Sequence, residues 1–185
     1  MNTHKKQYIA LSAIALILLL VGVYGISNKM EKLRLAQVAK QVEQTTQEEQ
    51  VRQSQYQLEI KKFEGQKDRS TSDSLTLATA YGNTGDFVKA QEVVTGVLSQ
   101  DPGSQDAYIL LGNILREEGK YDEAEQSFRQ ALSIDPAKSD IYGNIAVMYY
   151  SYKGDLAGAK KILLEGIVAD PKNDNLKELL KAYNT

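Results

Sequence analysis

The sequence predicts an all-α fold. Its architecture is a short α-solenoid of three helix-turn-helix repeats with a C-terminal capping helix, preceded by an N-terminal transmembrane helix and a helical spacer. Three observations predict it. Gly85, Ala90 and Pro102 recur 34 residues on as Gly119, Ala124 and Pro136, and again, after one extra residue, as Gly154, Ala159 and Pro171. A fixed period of this length makes each copy one supersecondary unit that buries its apolar face against its neighbours. Residues 8–26 form an uncharged apolar run, and the stretch behind it is rich in Gln, Glu and Lys with no Pro and no Gly before Gly65.

Residues 1–7 are a short N-terminal tail carrying His4, Lys5 and Lys6. The run that follows, YIALSAIALILLLVGVYGI, is 19 residues long. As a helix it spans about 28 Å, close to the hydrocarbon thickness of a bilayer. Tyr8 and Tyr24 sit near its ends, where aromatic rings suit the headgroup boundary. The run therefore reads as a signal anchor in contact with the lipid bilayer. The competing reading is a cleaved signal peptide, but Val23-Tyr24-Gly25 imitates an A-x-A site poorly and a basic flank follows. The expected placement is single-pass, with the N-terminus cytoplasmic and the repeats on the extracytoplasmic side. Lys29, Lys32, Arg34 and Lys40 pull the positive-inside count the other way.

Residues 27–69 are the helical or weak coiled-coil spacer. Strong helix formers dominate it. Leu35, Val38, Val42, Thr45, Tyr56 and Phe63 keep a heptad register, but Glu49, Arg52 and Glu59 interrupt the seam. A long exposed tether and a helix that pairs with a second copy both fit, the latter making a homo-oligomer. Gly65 ends this helix, and the Ser70–Ser72 cluster with Asp73 offers the N-cap of the next.

Three repeats occupy 70–173, as copies 71–104, 105–138 and 139–173. The second copy is the clearest. Tyr108, Leu111, Gly112 and Leu115 share a face of its first helix, and Ala124, Phe128, Ala131 and Leu132 share the facing side of its second. Gly112 and Ala124 are small where two helices must approach. Gly119 makes the turn, and Asp135-Pro136 closes the second helix because Pro cannot continue it. The extra residue of the third copy lies within Tyr150–Lys153, and Gly166 stands where a small Ala is usual, at an expected cost of up to about 1 kcal/mol. Residues 174–185 begin another helix with Leu176, Leu179, Leu180 and Tyr183 apolar, which reads as the cap.

The run of large aromatic, Leu-Gly, Gly-x-Tyr-x-x-Ala, Phe, Ala and Pro in the second copy resembles the tetratricopeptide repeat. The first copy matches at Leu77, Tyr81, Gly85, Phe87, Ala90, Leu98 and Pro102, departing at Ser74 and Ala78. The third matches at Tyr142, Ile145, Ala146, Tyr149, Gly154, Asp155, Ala159, Leu163 and Pro171. The resemblance implies a concave groove, lined by the first helices, that binds a protein or peptide partner. Its protein-binding positions would be Leu75, Thr79, Asn83, Asp106, Ile109, Asn113, Arg116, Glu117, Asp140, Asn144, Val147 and Tyr150, with Gly143 beside them. One subgroup of the family grips a free C-terminal carboxylate with a basic clamp. Those places here hold Leu75, Thr79, Leu110, Asp140 and Asn144, and Asp140 would repel a carboxylate. Tyr81, Tyr108, Tyr121, Tyr142 and Tyr149 fill repeat-core places, whereas Tyr150 and Tyr152 are extra and are candidates for contact.

Composition excludes several function classes. The chain of 185 residues has no Cys and one His, so disulfides and thiol catalysis are excluded and no metal or cofactor is expected. Residues 1–69 carry 11 Lys/Arg against 7 Asp/Glu, while 70–185 carry 11 against 17. An acidic repeat half repels phosphate backbones, so no nucleic-acid partner is expected. None of the G-x-S-x-G, H-E-x-x-H or P-loop motifs occurs, so no catalytic residue is assigned and the chain is not expected to be an enzyme. The expectation is a membrane-anchored adaptor in assembly, secretion or envelope processes. The alternatives are an oligomeric strut through 27–67, or a holdase-like chaperone at a translocon or a cytochrome-maturation machine.

Overall fold

The computed structural model describes residues 29–184. They form eight α-helices: α1 (Lys29–Phe63), α2 (Thr71–Thr84), α3 (Phe87–Gln100), α4 (Gln105–Glu118), α5 (Tyr121–Ile134), α6 (Ser139–Ser151), α7 (Leu156–Ala169) and α8 (Asp174–Ala182). The apolar run of residues 8–26 lies outside the described residues. Among those described, no helix is long and apolar enough to cross a membrane.

Local chemistry sets each boundary. The Ser70 side chain accepts the Asp73 N–H and donates to the Asp73 carboxylate at 2.7 Å, a reciprocal cap for α2. Gly85 and Gly119 end the first helix of their repeats at φ 86 and 92, a left-handed conformation that only glycine enters without strain. Asp101, Asp135 and Asp170 follow the second helices. Each carboxylate accepts the N–H two residues on, from Gly103, Ala137 and Lys172, so the same Asx turn joins successive repeats.

The extra residue of the third copy is absorbed within its turn. The Asp86 N–H bonds the Tyr81 carbonyl and the Lys120 N–H bonds the Leu115 carbonyl, each reaching back five residues. The Asp155 N–H bonds the Tyr149 carbonyl six residues back. The turn widens by one residue and the helix after it keeps its register, with Ala159 fully buried like Ala124 and Ala90.

The core runs along the helix pairs. Leu77, Ala78, Tyr81, Ala90, Val94, Val97, Ala107 and Ile114 form its first section. Leu115, Phe128, Leu132, Ile141, Tyr142, Ile145, Met148, Ile162, Leu163 and Leu176 are central to the second. Leu111 packs against both sections. Gly112 lets Phe128 in: a Cβ at Gly112 would stand 2.7 Å from two ring carbons of a side chain that is itself fully buried. Gly166 has the same role and is no weak point. A Cβ there would lie 2.7 Å from Cβ and Cγ of Tyr142 and 2.8 Å from Leu176. Glycine in place of the usual Ala therefore lets α6, α7 and α8 close together, and this packing offsets its helix-propensity cost.

The spacer reading also needs correction. The last turns of α1 belong to the repeat core: Phe63 is 6% exposed among Leu77, Tyr81 and Val94, and Ile60 packs beside it. The Arg69 guanidinium, two residues before α2, donates to the carbonyls of Phe63 (2.9 Å) and Gln66 (2.8 Å), folding the connecting loop back onto the end of α1. Tyr56 and Phe63 were expected on a seam for a second copy. Phe63 is spent within this chain and Tyr56 faces α2, so the coiled-coil seam does not extend over this half of the helix.

Candidate functional site

Three helices build a furrow. α1 and α4 are its walls, and the end of α2 with the turn into α3 is its floor. It encloses about 530 Å³ between Glu49, Arg52, Gln53 and Tyr56 on one side and Leu110, Asn113, Arg116 and Glu117 on the other. Thr79, Gly82, Asn83, Gly85, Phe87 and Ile114 line the bottom. A second hollow of about 620 Å³ continues it, sharing Tyr56 and Thr79 and adding Glu59, Leu75 and Asp106. Clefts that bind ligands fall in this range of volume.

The furrow mixes apolar floor, amides and balanced charge. Arg52 pairs with Glu49 at 3.1 Å on α1, and Arg116 pairs with Glu117 at 3.2 Å on α4. Gln53 reaches across to the Asn83 carbonyl at 3.4 Å. The Asn83 amide donates to the Thr79 carbonyl (2.9 Å), leaving its own oxygen free to accept. Among the described residues, no three His, Cys, Asp or Glu side chains gather where a metal ion could be held.

The structure brings together Thr79, Asn83, Asn113, Arg116 and Glu117 in the furrow, and Leu75 and Asp106 in its continuation. Ile109 is half-buried against the second core section, and Leu75 also packs on the first. Asp140, Asn144, Val147 and Tyr150 lie further along on α6, outside both hollows. Tyr150 stacks on Tyr183 with centroids 4.6 Å apart, and Tyr152 stacks on Tyr121 at 4.7 Å. Both extra tyrosines thus brace the widened turn and the cap, although about half of each remains exposed. Sequence reasoning missed Glu49, Arg52, Gln53 and Tyr56, because the segment reads as a linker. The available signal was Tyr56, Ile60 and Phe63, three apolar residues at helical spacing just before the repeats.

Away from the furrow, two ionic clusters fasten neighbouring helices. The Tyr81 hydroxyl donates to Glu64 at 2.7 Å, and Lys89 joins at 3.1 Å with its ammonium over the Tyr81 ring. These partners, Tyr81 first, hold the Glu64 carboxyl below the usual range. The Tyr149 hydroxyl donates to Glu125 at 2.8 Å, and Arg129 and Lys153 add at 2.9 and 3.3 Å. Burial pushes the Glu125 carboxyl up, but the three hydrogen bonds outweigh it and hold it low.

Comparison with known proteins gives one consistent result. A family model described as tetratricopeptide repeat matches residues 75–139, and a second of the same description matches 115–183. Intraflagellar transport protein 70A of Xenopus laevis is 37% identical over 79 residues, 43% of this chain and 12% of that protein. The Xenopus tropicalis protein gives the same figures, so the chain spans about an eighth of the length of these curated relatives. In solved structures, the Sgt2 TPR domain from Aspergillus fumigatus has TM-score 0.52 at 20% identity, covering 61% of this chain and 76% of that one. MamA has TM-score 0.53 at 18% identity, covering 76% and 79%. At these identities the structures show a shared fold.

Proposed function

We propose a protein-binding scaffold, from the premise that the chain belongs to the tetratricopeptide repeat family. Repeats of this family in general serve protein–protein interaction. The observation that carries the reading is the furrow of about 530 Å³, into which Thr79, Asn83, Asn113, Arg116 and Glu117 converge from two successive repeats. Its amides and paired charges suit the backbone and side chains of a protein segment, and its apolar floor adds desolvation. The uncharged run at residues 8–26 supports tethering to a bilayer, with partner capture at a membrane in assembly, secretion or envelope processes. The missing basic clamp at Leu75, Thr79, Leu110, Asp140 and Asn144 speaks against a chaperone C-terminus as the ligand.

The test is crosslinking in native membranes, with partners identified by mass spectrometry. The double variant Asn113→Ala, Arg116→Ala is expected to lose most of the capture and to keep its melting temperature within about 3 °C, because neither side chain belongs to the apolar core. Capture and melting temperature falling together would remove the furrow from the reading.

A further inference from the structure

We propose that the outer face of α1, turned away from the repeats, rests on the anionic surface of a membrane. Its occupant is the headgroup layer of a bilayer that contains acidic lipid. The proposal rests on the tethering of residues 8–26 read above, and it adds how the repeats stand against that same membrane.

α1 has two opposite faces. At 3.6 residues per turn, Tyr56, Ile60 and Phe63 fall on one side, and this side holds the helix to the repeats. Half a turn round lie Leu33, Lys40, Val51 and Leu58, with Gln, Ala and Ser between them. Leu33, Val51 and Leu58 are 53%, 60% and 66% exposed, three of the four large apolar side chains that α1 leaves open among the described residues. The face covers about a third of the circumference and carries no acid from Leu33 to Lys62. Glu43, Glu48, Glu49 and Glu59 all fall outside it.

Its cation is uncommitted. Lys89, Arg129 and Lys153 of the repeats are tied into ion pairs with acids of this chain. Lys40 is exposed and, among the described residues, makes no such pair. A helix face of exposed apolar residues with Lys and without acids has the make-up of segments that lie in a membrane interface. Each Lys beside an anionic leaflet strengthens contact about fivefold. Only Ser27 and Asn28 separate the uncharged run from α1, so a tethered chain holds this face at high local concentration over the bilayer and a shallow contact suffices.

Length decides that the helix lies down. Leu33 and Leu58 are about 38 Å apart along the axis. A helix standing upright would bring only its first turns to the headgroups and leave Val51 and Leu58 in water. Lying flat, it delivers all three together. Charge decides which side is down. Residues 70–185 carry 11 Lys/Arg against 17 Asp/Glu and are repelled by anionic lipid. With α1 beneath them they stand off by about one helix diameter, near 10 Å, which is also about one screening length at 0.1 M salt. Glu49, Gln53 and Tyr56 of the furrow wall are not on the outer face, so the furrow stays open.

The chain has no Cys, so Gln55→Cys gives a single labelling position on the outer face, about 39 Å from the start of α1. The full chain, labelled there with a fluorophore, is reconstituted into phosphatidylcholine vesicles with or without phosphatidylglycerol, and quenching by spin-labelled lipid is read. Quenching is expected to be at least about threefold stronger with phosphatidylglycerol. It should fall back to the phosphatidylcholine level in Lys40→Glu, Leu58→Asp, a double variant altered only at exposed positions and checked for helix content by circular dichroism. Quenching that is absent, that is equal in the two vesicles, or that survives the double variant would overturn the proposal. Energy transfer between differently labelled copies in place of lipid quenching would give the face to a second copy and overturn it too. Extraction of the chain by alkaline carbonate would overturn the tether and this proposal together, whereas retention without quenching would overturn this proposal alone and leave tether and furrow standing.

Discussion

Gly166→Ala is the sharpest probe of the packing. In an exposed helix interior Ala is better than Gly by about 0.5–1 kcal/mol. Gly96 on α3 is such a site, with nothing within 4 Å of an added Cβ, so Gly96→Ala should stabilise by that amount. At Gly166 the same methyl would stand 2.7 Å from Cβ and Cγ of Tyr142 and 2.8 Å from Leu176. Carbon atoms pack best at about 3.5–4.0 Å, so the overlap is close to 1 Å. Tyr142 Cβ is bonded to the backbone of α6 and cannot swing away, and Leu176 is 3% exposed. The helices must separate, and overpacking of this kind costs about 1–3 kcal/mol. After the propensity gain, the net loss is up to about 2.5 kcal/mol. The two Gly→Ala variants share the propensity gain, so they should differ by the overpacking cost itself, about 1–3 kcal/mol in urea unfolding followed by far-ultraviolet circular dichroism, or roughly 2–12 °C in melting temperature for a body of this size. If Gly166→Ala unfolds at or above the wild-type midpoint, the close approach of α6, α7 and α8 is not what Gly166 is for.

Phe128→Ala empties a fully buried site facing Gly112 and should cost about 3–5 kcal/mol, measured as the loss of urea midpoint at constant slope. Phe63→Ala should release α1 locally. Hydrogen exchange is expected to quicken over residues 49–63 and to stay slow over α5 to α7, whereas uniform quickening would mean that α1 is no separate unit. Glu125 gives a pH test. Its folded carboxyl is held low, so its contribution is present above the ordinary carboxylate pKa near about 4.3 and is lost as pH falls through the lower folded value. Glu125→Gln should thus be less stable than wild type by about 1 kcal/mol at pH 7, with the gap closing in acid; a gap that does not change with pH would show that the charge on Glu125 is not what holds Tyr149 and Lys153.

The repeat architecture was legible because its signals are local and threefold. Gly85 and Gly119 declare their turns, Asp101, Asp135 and Asp170 their junctions, and Ala90, Ala124 and Ala159 their close contacts. The furrow was half legible. Thr79, Asn83, Asn113, Arg116 and Glu117, which line it, are among the positions that the resemblance to the tetratricopeptide repeat implies. The α1 wall is not among them, since a polar helix with a few apolar residues looks alike whether it stands in solvent or leans on a neighbour, and only the partner decides. Gly166 misled for a related reason. Helix propensity is a property of one residue, whereas the need for glycine there arises from Tyr142 and Leu176, which approach from two other helices. The fate of Tyr150 and Tyr152 was hidden too, because a ring able to anchor a partner is equally able to stack on Tyr183 or Tyr121.

The anchoring of α1 through Phe63 has a consequence for reach. α1 is 35 residues long and α2 is 14, so α1 measures about 52 Å against about 21 Å and projects roughly 30 Å past the helix it lies on. A flexible chain of about twenty residues would scatter the furrow over some 25 Å around its tether point. With its far end locked by Phe63, the helix acts as a ruler. It sets one distance and one facing between the furrow and whatever is attached at residue 29. In the scaffold reading, a segment held in the furrow would be presented in a fixed orientation, and a second encounter made by the same partner would start with much of its rotational freedom already removed.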